Sequence, residues 1–135
     1  MFYLWVGKVK KIFIASSFTR FEAINSEIYN RLSKSFNVFL SGNLDFTGLD
    51  MKSIAEICYQ NIDDSDYIVA IAPFGLSVSS ELGYTIALNK NGHSKKIILF
   101  NHIFDEKLNN EDMFMPYIDF VSSNIDEILN FIKNK

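Results

Sequence analysis

Residues 63–100, DDSDYIVAIAPFGLSVSSELGYTIALNKNGHSKKIILF, leave few folds open to this chain. Positions 67–72 form an apolar run rich in β-branched residues (Ile68, Val69, Ile71), with acidic residues before it and Pro73 after it. That is the pattern of a strand covered on both faces. Pro73 and Gly75 break the run, and Ser77, Ser79 and Ser80 offer N-caps for a helix reaching about Asn91. Gly92 then stops the helix, and positions 96–100 give a second apolar strand. A strand, helix and strand of this length make a right-handed βαβ unit with parallel strands. Ligands of such sheets bind beyond the carboxyl ends of the strands, where residues 73–81 fall.

Glu81 stands out in that stretch. With Ser79 as N-cap it lies in the first helical turn, and with Ser77 one position further in. Neither serine is three residues before it, so a reciprocal capping box is excluded. One reading is a carboxylate favoured by the helix dipole, worth a few tenths to about 1 kcal/mol. The other is a catalytic carboxylate aimed into the crevice.

The rest of the chain extends the same alternation. Positions 11–15 (KIFIA) read as a first strand, and a helix over 19–34 carries Phe21, Ile24, Ile28 and Leu32 on one stripe. A short strand at 38–40 leads into a loop bearing Asp45, Thr47 and Asp50. Positions 51–62 read as a helix with Ile54, Ile57, Cys58 and Ile62 inward. Tyr84 and Leu88, four apart, are expected to pack together. Asp63 and Asp64 are expected to cap the entry to the third strand and stay in water. Residues 101–117 are polar and irregular, 117–121 read as a fifth strand, and Ser123 as the cap of a last helix to about 134. Its inward side would carry Ile125, Ile128, Leu129 and Ile132. The pattern predicts one three-layer α/β/α domain over 1–135 with a flavodoxin-like parallel sheet of order 2-1-3-4-5. Strands 1 and 3 are then neighbours, and the loops 16–20 and 73–81 face one another.

Composition narrows the function. At 135 residues, 48% hydrophobic, with thirteen Phe and six Tyr, the chain has ample material for a core. A net charge of −3 without a basic stripe argues against a nucleic-acid polymer as partner. One cysteine, Cys58, excludes an internal disulfide and fits a reducing cytoplasm; it suits a buried thiol better than a catalytic thiolate. The two histidines, His93 and His102, make no metal spacing with it, and neither a metal nor a resident cofactor is expected. The apolar start, MFYLWVGK, is too short to span a bilayer, so no membrane partner is expected. It reads as an extra edge strand, a contact for a second subunit, or a lead-in.

Ser16, Ser17, Ser77, Ser79 and Ser80, two helix N-termini and Arg20 would converge on the crevice. Free N–H groups and a partial positive charge suit a phosphate or another anion, while plain capping accounts for some of the serines. Neither a Walker loop nor a dinucleotide fingerprint is present. A glutamate beside such a site suits cleavage of an N-glycosidic bond, because a carboxylate can stabilise or capture the oxocarbenium-like sugar.

KIFIASSF at 11–18, SDYIVAIAP at 65–73 and SSELGYTIAL at 79–88 together resemble the nucleoside 2-deoxyribosyltransferase-like family. That family includes relatives that hydrolyse deoxynucleoside monophosphates. The resemblance covers about residues 10–100, and E-L-G-Y before a small-residue helix is its most specific part. It implies that Glu81 is the nucleophile holding the sugar. It also implies that the turn with Gly75, Ser77, Ser79 and Ser80 binds the sugar or its 5′ end, and that Ser16, Ser17 and Phe18 line the base. Arg20 and the serines point to a phosphorylated substrate. Transferases of the family usually carry an aspartate where this chain has Gly75, and a second where it has Cys58. Asp45 or Asp50, from the loop after strand 2, are the candidates to reach in instead. The resemblance also implies a homodimer, with the N-terminus and residues 101–117 as its surfaces. Two other readings remain open: a TIR-like domain acting on NAD, and a non-catalytic nucleotide sensor.

Overall fold

A computed structural model describes residues 9–17, 22–104 and 113–134. The first eight residues, residues 18–21 with Phe18, Arg20 and Phe21, and residues 105–112 of the irregular 101–117 segment therefore lie outside the described residues.

Five strands, β1 (Lys11–Ala15), β2 (Asn37–Leu40), β3 (Tyr67–Ile71), β4 (Lys96–Phe100) and β5 (Phe120–Ser122), form one sheet. The order is β2-β1-β3-β4-β5 and every neighbouring pair is parallel, as the alternating pattern predicts. Among the described residues four α-helices cover it: α1 (Glu22–Ser33), α2 (Met51–Asp63), α3 (Leu76–Lys90) and α4 (Ile125–Lys133). The fold is a three-layer α/β/α sandwich.

The two faces follow from the period of two along each strand. Ile12 and Ile14 of β1, Val69 and Ile71 of β3 and Ile98 of β4 pack on Ile28 and Leu32 of α1 and Ile128 and Ile132 of α4. Phe13 and Ala15, Ile68 and Ala70, and Ile97 meet Cys58 and Ile62 of α2 and Val78 and Leu82 of α3. All five residues of β3 are buried, so neither face of the central strand admits a polar residue.

Several boundaries differ from the sequence reading. The fifth strand runs Phe120–Ser122 and is pinned by Asp119, which accepts from Ile97 N at 2.8 Å. Asn124, not Ser123, caps α4, its side chain accepting from Asp126 N at 2.8 Å. Asp63 does not stay in water as a strand cap. It is the last residue of α2 and accepts the Tyr84 hydroxyl, while Asp64 is the exposed C-cap. Tyr84 pairs with the Tyr59 ring of α2, centroids 4.6 Å apart, and both Tyr84 and Leu88 pack against the core on this face. Gly92, at φ +101, takes the left-handed turn expected after α3. Lys95, 8% exposed, closes the far end of α2 by donating to the carbonyls of Asp63 (2.6 Å) and Ser65 (2.7 Å).

Candidate active site

The connection from β3 to α3 sets the site. Gly75 occupies the N-cap of α3 with no side-chain cap, and Ser79 N donates to its carbonyl at 3.1 Å. The helix thus begins at Leu76, and neither Ser77 nor Ser79 caps it, because Pro73 and Gly75 end the strand early enough for all three serines to be helical. Glu81 is consequently in the second turn, beyond the reach of a cap and largely beyond the helix-end charge. Before this turn the Ala72–Pro73 peptide is cis, and His102 Nε2 donates to the Ala72 carbonyl at 2.6 Å.

Helical phase then divides the serines. Ser77, Ser80, Glu81 and Tyr84 follow the i, i+3, i+4, i+7 spacing of one face, directed at α2. Ser77, Ser80 and Glu81 line a cavity of about 280 Å³ between α2 and α3. Its opposite wall is apolar, with Met51, Ile54, Ala55 and Cys58 from α2 and Leu76 from the start of α3. Tyr59 stands at the edge, its hydroxyl hydrogen-bonded to that of Ser80. Ser79 faces elsewhere, into a groove with Gly83, Ile86 and Lys90.

Ser16 and Ser17 follow β1 and line a second, separate cavity of about 230 Å³. It lies between α1 and the carboxyl ends of β1 and β2, with Glu22, Asn25 and Ser41 among its walls. The five serines therefore do not converge on one crevice. Asp45 lines neither cavity; it is exposed, and its carboxylate accepts from the Thr47 hydroxyl and from Thr47 N (2.9 Å), which together hold its pKa below the ordinary carboxylate range. Asp50 is the N-cap of α2, accepting from Ser53 N at 2.8 Å. Gly75 is exposed at the helix start. Phe18 and Arg20 lie outside the described residues.

Burial pushes the Glu81 carboxyl up to about 8. The apolar α2 wall offers little solvation to a carboxylate, so the carboxyl favours its protonated form at neutral pH. Cys58, 7% exposed, is pushed up to about 11, first by burial and then by the Glu81 charge. A thiol held this far above its usual value is a packing residue, not a nucleophile. Its alkylation by iodoacetamide at pH 8 is expected to be about a hundredfold slower than that of a free cysteine. The Glu81→Gln protein is expected to react faster, because the neighbouring charge is gone. Equal rates in the two proteins would show that Cys58 and Glu81 do not share this cavity.

Sequence reasoning missed Asn25, Tyr59 and His102. Asn25 sat within a stripe read only for its apolar members, and the other two act through contacts from distant segments.

The parallel sheet covered by helices on both faces is a fold that this chain shares with a 2-deoxyribosyltransferase and a CMP N-glycosidase of known structure. No family model and no curated protein matches the sequence. Among solved structures the chain is similar to a 2-deoxyribosyltransferase from the psychrotolerant bacterium Bacillus psychrosaccharolyticus, with TM-score 0.64 and 16% identity over 89% of this chain and 90% of that one. A CMP N-glycosidase from Clostridium botulinum gives TM-score 0.58 and 18% identity over 93% and 100%. A conserved protein from Enterococcus faecalis gives TM-score 0.62 and 21% identity over 93% and 98%. At these identities the likeness is one of fold.

Proposed function

We propose that the protein cleaves or transfers at the N-glycosidic bond of nucleosides, deoxynucleosides or their 5′-monophosphates, with Glu81 as nucleophile. The observation that carries this reading is a single desolvated carboxyl facing a cavity with an apolar wall, on the helix that follows the central strand. Two of the similar structures, a deoxyribosyltransferase and a CMP N-glycosidase, support the same bond as the target.

In this reaction the ionised Glu81 attacks C1′ of the sugar. A carboxylate oxygen–C1′ bond forms as the C1′–N bond breaks, and the bonding pair leaves with the base, which takes up a proton. Water then attacks C1′ to release the sugar, or a second base does so to complete a transfer; either step frees the carboxylate. The desolvation that raises Glu81 strengthens its attraction to the positive charge developing on the sugar. Ser77 and Ser80, on the same helical face, supply hydroxyls to the sugar or its 5′ end.

The test is release of free base from a panel of nucleosides, deoxynucleosides, their 5′-monophosphates and NAD, followed by chromatography. Release from the nucleosides or monophosphates is expected. Release of nicotinamide alone would favour the NAD reading. Tight nucleotide binding without release would favour a sensor, a reading that gains from the presence of Cys58 and Gly75 where family transferases carry aspartates. A homodimer in a reducing, cytoplasmic setting belongs to the same proposal. It is supported by Leu76 (93% exposed), Met113 (92%) and Met51 (74%) standing bare on the surface, and by the free thiol of Cys58. Among the described residues no helix is long and apolar enough to cross a membrane.

A further inference from the structure

The base of a nucleoside is bonded directly to the carbon that Glu81 would attack, so the base cannot lie far from the groups around that carboxyl. Those groups belong to the cavity between α2 and α3. Met51, Ile54, Ala55 and Cys58 give it an apolar wall that suits a flat ring, with Tyr59 adding an aromatic ring at the edge. The Tyr84 ring lies 4.6 Å from that of Tyr59, and its hydroxyl donates to the Asp63 carboxylate, a second negative group on this side. Among the described residues lining the cavity there is no lysine, arginine or histidine. One carboxyl, one aromatic ring and an apolar wall together favour a cation. A positive ring would pair with the carboxylate, be attracted to the tyrosine face, and demand nothing from the wall.

The chemistry of the bond makes the same demand. When a carboxylate displaces a neutral base, the C1′–N bonding pair leaves negative charge on the base, which must take up a proton. Glu81 attacks C1′ from the side opposite the departing nitrogen, so its carboxyl cannot also face that nitrogen as the acid. The other ionisable groups lining the cavity are the Cys58 thiol, raised by burial to about 11, and the Tyr59 hydroxyl, already hydrogen-bonded to Ser80. A base with a positive charge on a ring nitrogen needs no proton. The carboxylate oxygen–C1′ bond forms, the C1′–N pair neutralises the ring, and carboxylate and cation become an ester and a neutral base. No new charge is created beside the apolar wall.

We infer that the cavity between α2 and α3 takes a nucleoside whose base carries a positive charge on a ring nitrogen, in preference to its neutral counterpart. The choice of ligand rests on the N-glycosidic reading above. Glu81 supplies the countercharge and Tyr59 the aromatic face.

Charge is separated from shape by two C-nucleosides, one carrying an N-methylpyridinium ring and the other a tolyl ring of the same outline. Their rings are joined to the sugar by a carbon–carbon bond, so turnover does not intervene, and each is used in ribo and deoxyribo form. Calorimetry at neutral pH is expected to show the pyridinium binding about tenfold or more tightly than the tolyl compound in at least one sugar form. The preference is expected to vanish in Glu81→Gln and to shrink in Tyr59→Leu, while Tyr59→Phe keeps it. Equal affinities, a preference for the tolyl ring, no binding of either, or a preference untouched by both Glu81→Gln and Tyr59→Leu would each overturn the inference. Adding 7-methylguanosine and nicotinamide riboside to the base-release panel, each measured against its spontaneous hydrolysis, separates the two ideas. A cation preference in binding without release from any substrate would keep the cation site and remove the enzyme. Release from neutral nucleosides with no cation preference would do the reverse.

Discussion

Glu81→Gln is expected to lower base release by about a thousandfold or more on whichever substrate the wild-type protein turns over, with KM changed far less. Glutamine keeps the shape and hydrogen-bonding reach of the side chain, so the loss would isolate its ability to ionise and bond to carbon. The pH profile carries the same information in the unaltered protein. A nucleophile must be deprotonated, and burial holds this carboxyl near 8 in the free protein. The value of kcat/KM should therefore rise with pH and level off above about 8, since that ratio reports ionisations of the free enzyme. Release that survives the substitution would assign the bond-forming role to another group.

The same substitution is expected to act in the opposite direction on stability. The Glu81 carboxyl is raised from an ordinary 4.5 to about 8 on folding. Below about 4.5 it is protonated in both the folded and the unfolded chain. As the pH rises from there toward 8, only the unfolded chain gains by ionising, so the folded state loses stability across this window. Above 8 both forms are ionised and the loss is complete. Glutamine does not titrate, so Glu81→Gln should match the wild type most closely near pH 4.5 and exceed it increasingly up to pH 8. Full desolvation would make the gain roughly 5 kcal/mol, and the carboxyl's partial contact with solvent reduces it to about 2–3 kcal/mol. Urea unfolding of both proteins at pH 5 and pH 8.5 measures this, because ionisations common to the two cancel in the difference. A gain that does not grow with pH would mean that Glu81 is well solvated, and the argument for a primed carboxyl would fall with it. Loss of activity with gain of stability is what a group kept for chemistry, rather than for packing, should show.

Much of this architecture was legible because it rests on local period. Alternation along KIFIA and YIVAI assigns residues to the two faces of the sheet, and the stripes of α1 and α4 give their inward residues, without reference to distant segments. Caps were less legible. Ser77, Ser79 and Ser123 each have the right chemistry, but a cap is chosen by where the backbone turns. Gly75 and Asn124 occupy those turns instead. The start of α3 then had a consequence that composition could not carry. Entering the helix at Leu76 sets the phase that sends Ser77, Ser80 and Glu81 toward α2 and Ser79 away from it.

By itself, the sequence determined the order of strands and helices, the parallel sheet that such an order enforces, and the glutamate on the helix after the central strand. Each of these depends on neighbours within a turn or two, or on the handedness of the connections. Tertiary structure alone decided what surrounds that glutamate. Cys58 and Glu81 are far apart in the chain and share a cavity only because α2 and α3 pack side by side on the same face. Asn25 likewise donates from Nδ2 to the Ser17 carbonyl, with Oδ1 left open among the described residues, only because of where residue 17 leaves β1. Burial and hydrogen-bond satisfaction depend on which surfaces meet, and that is settled by packing between segments rather than by any residue's own preference.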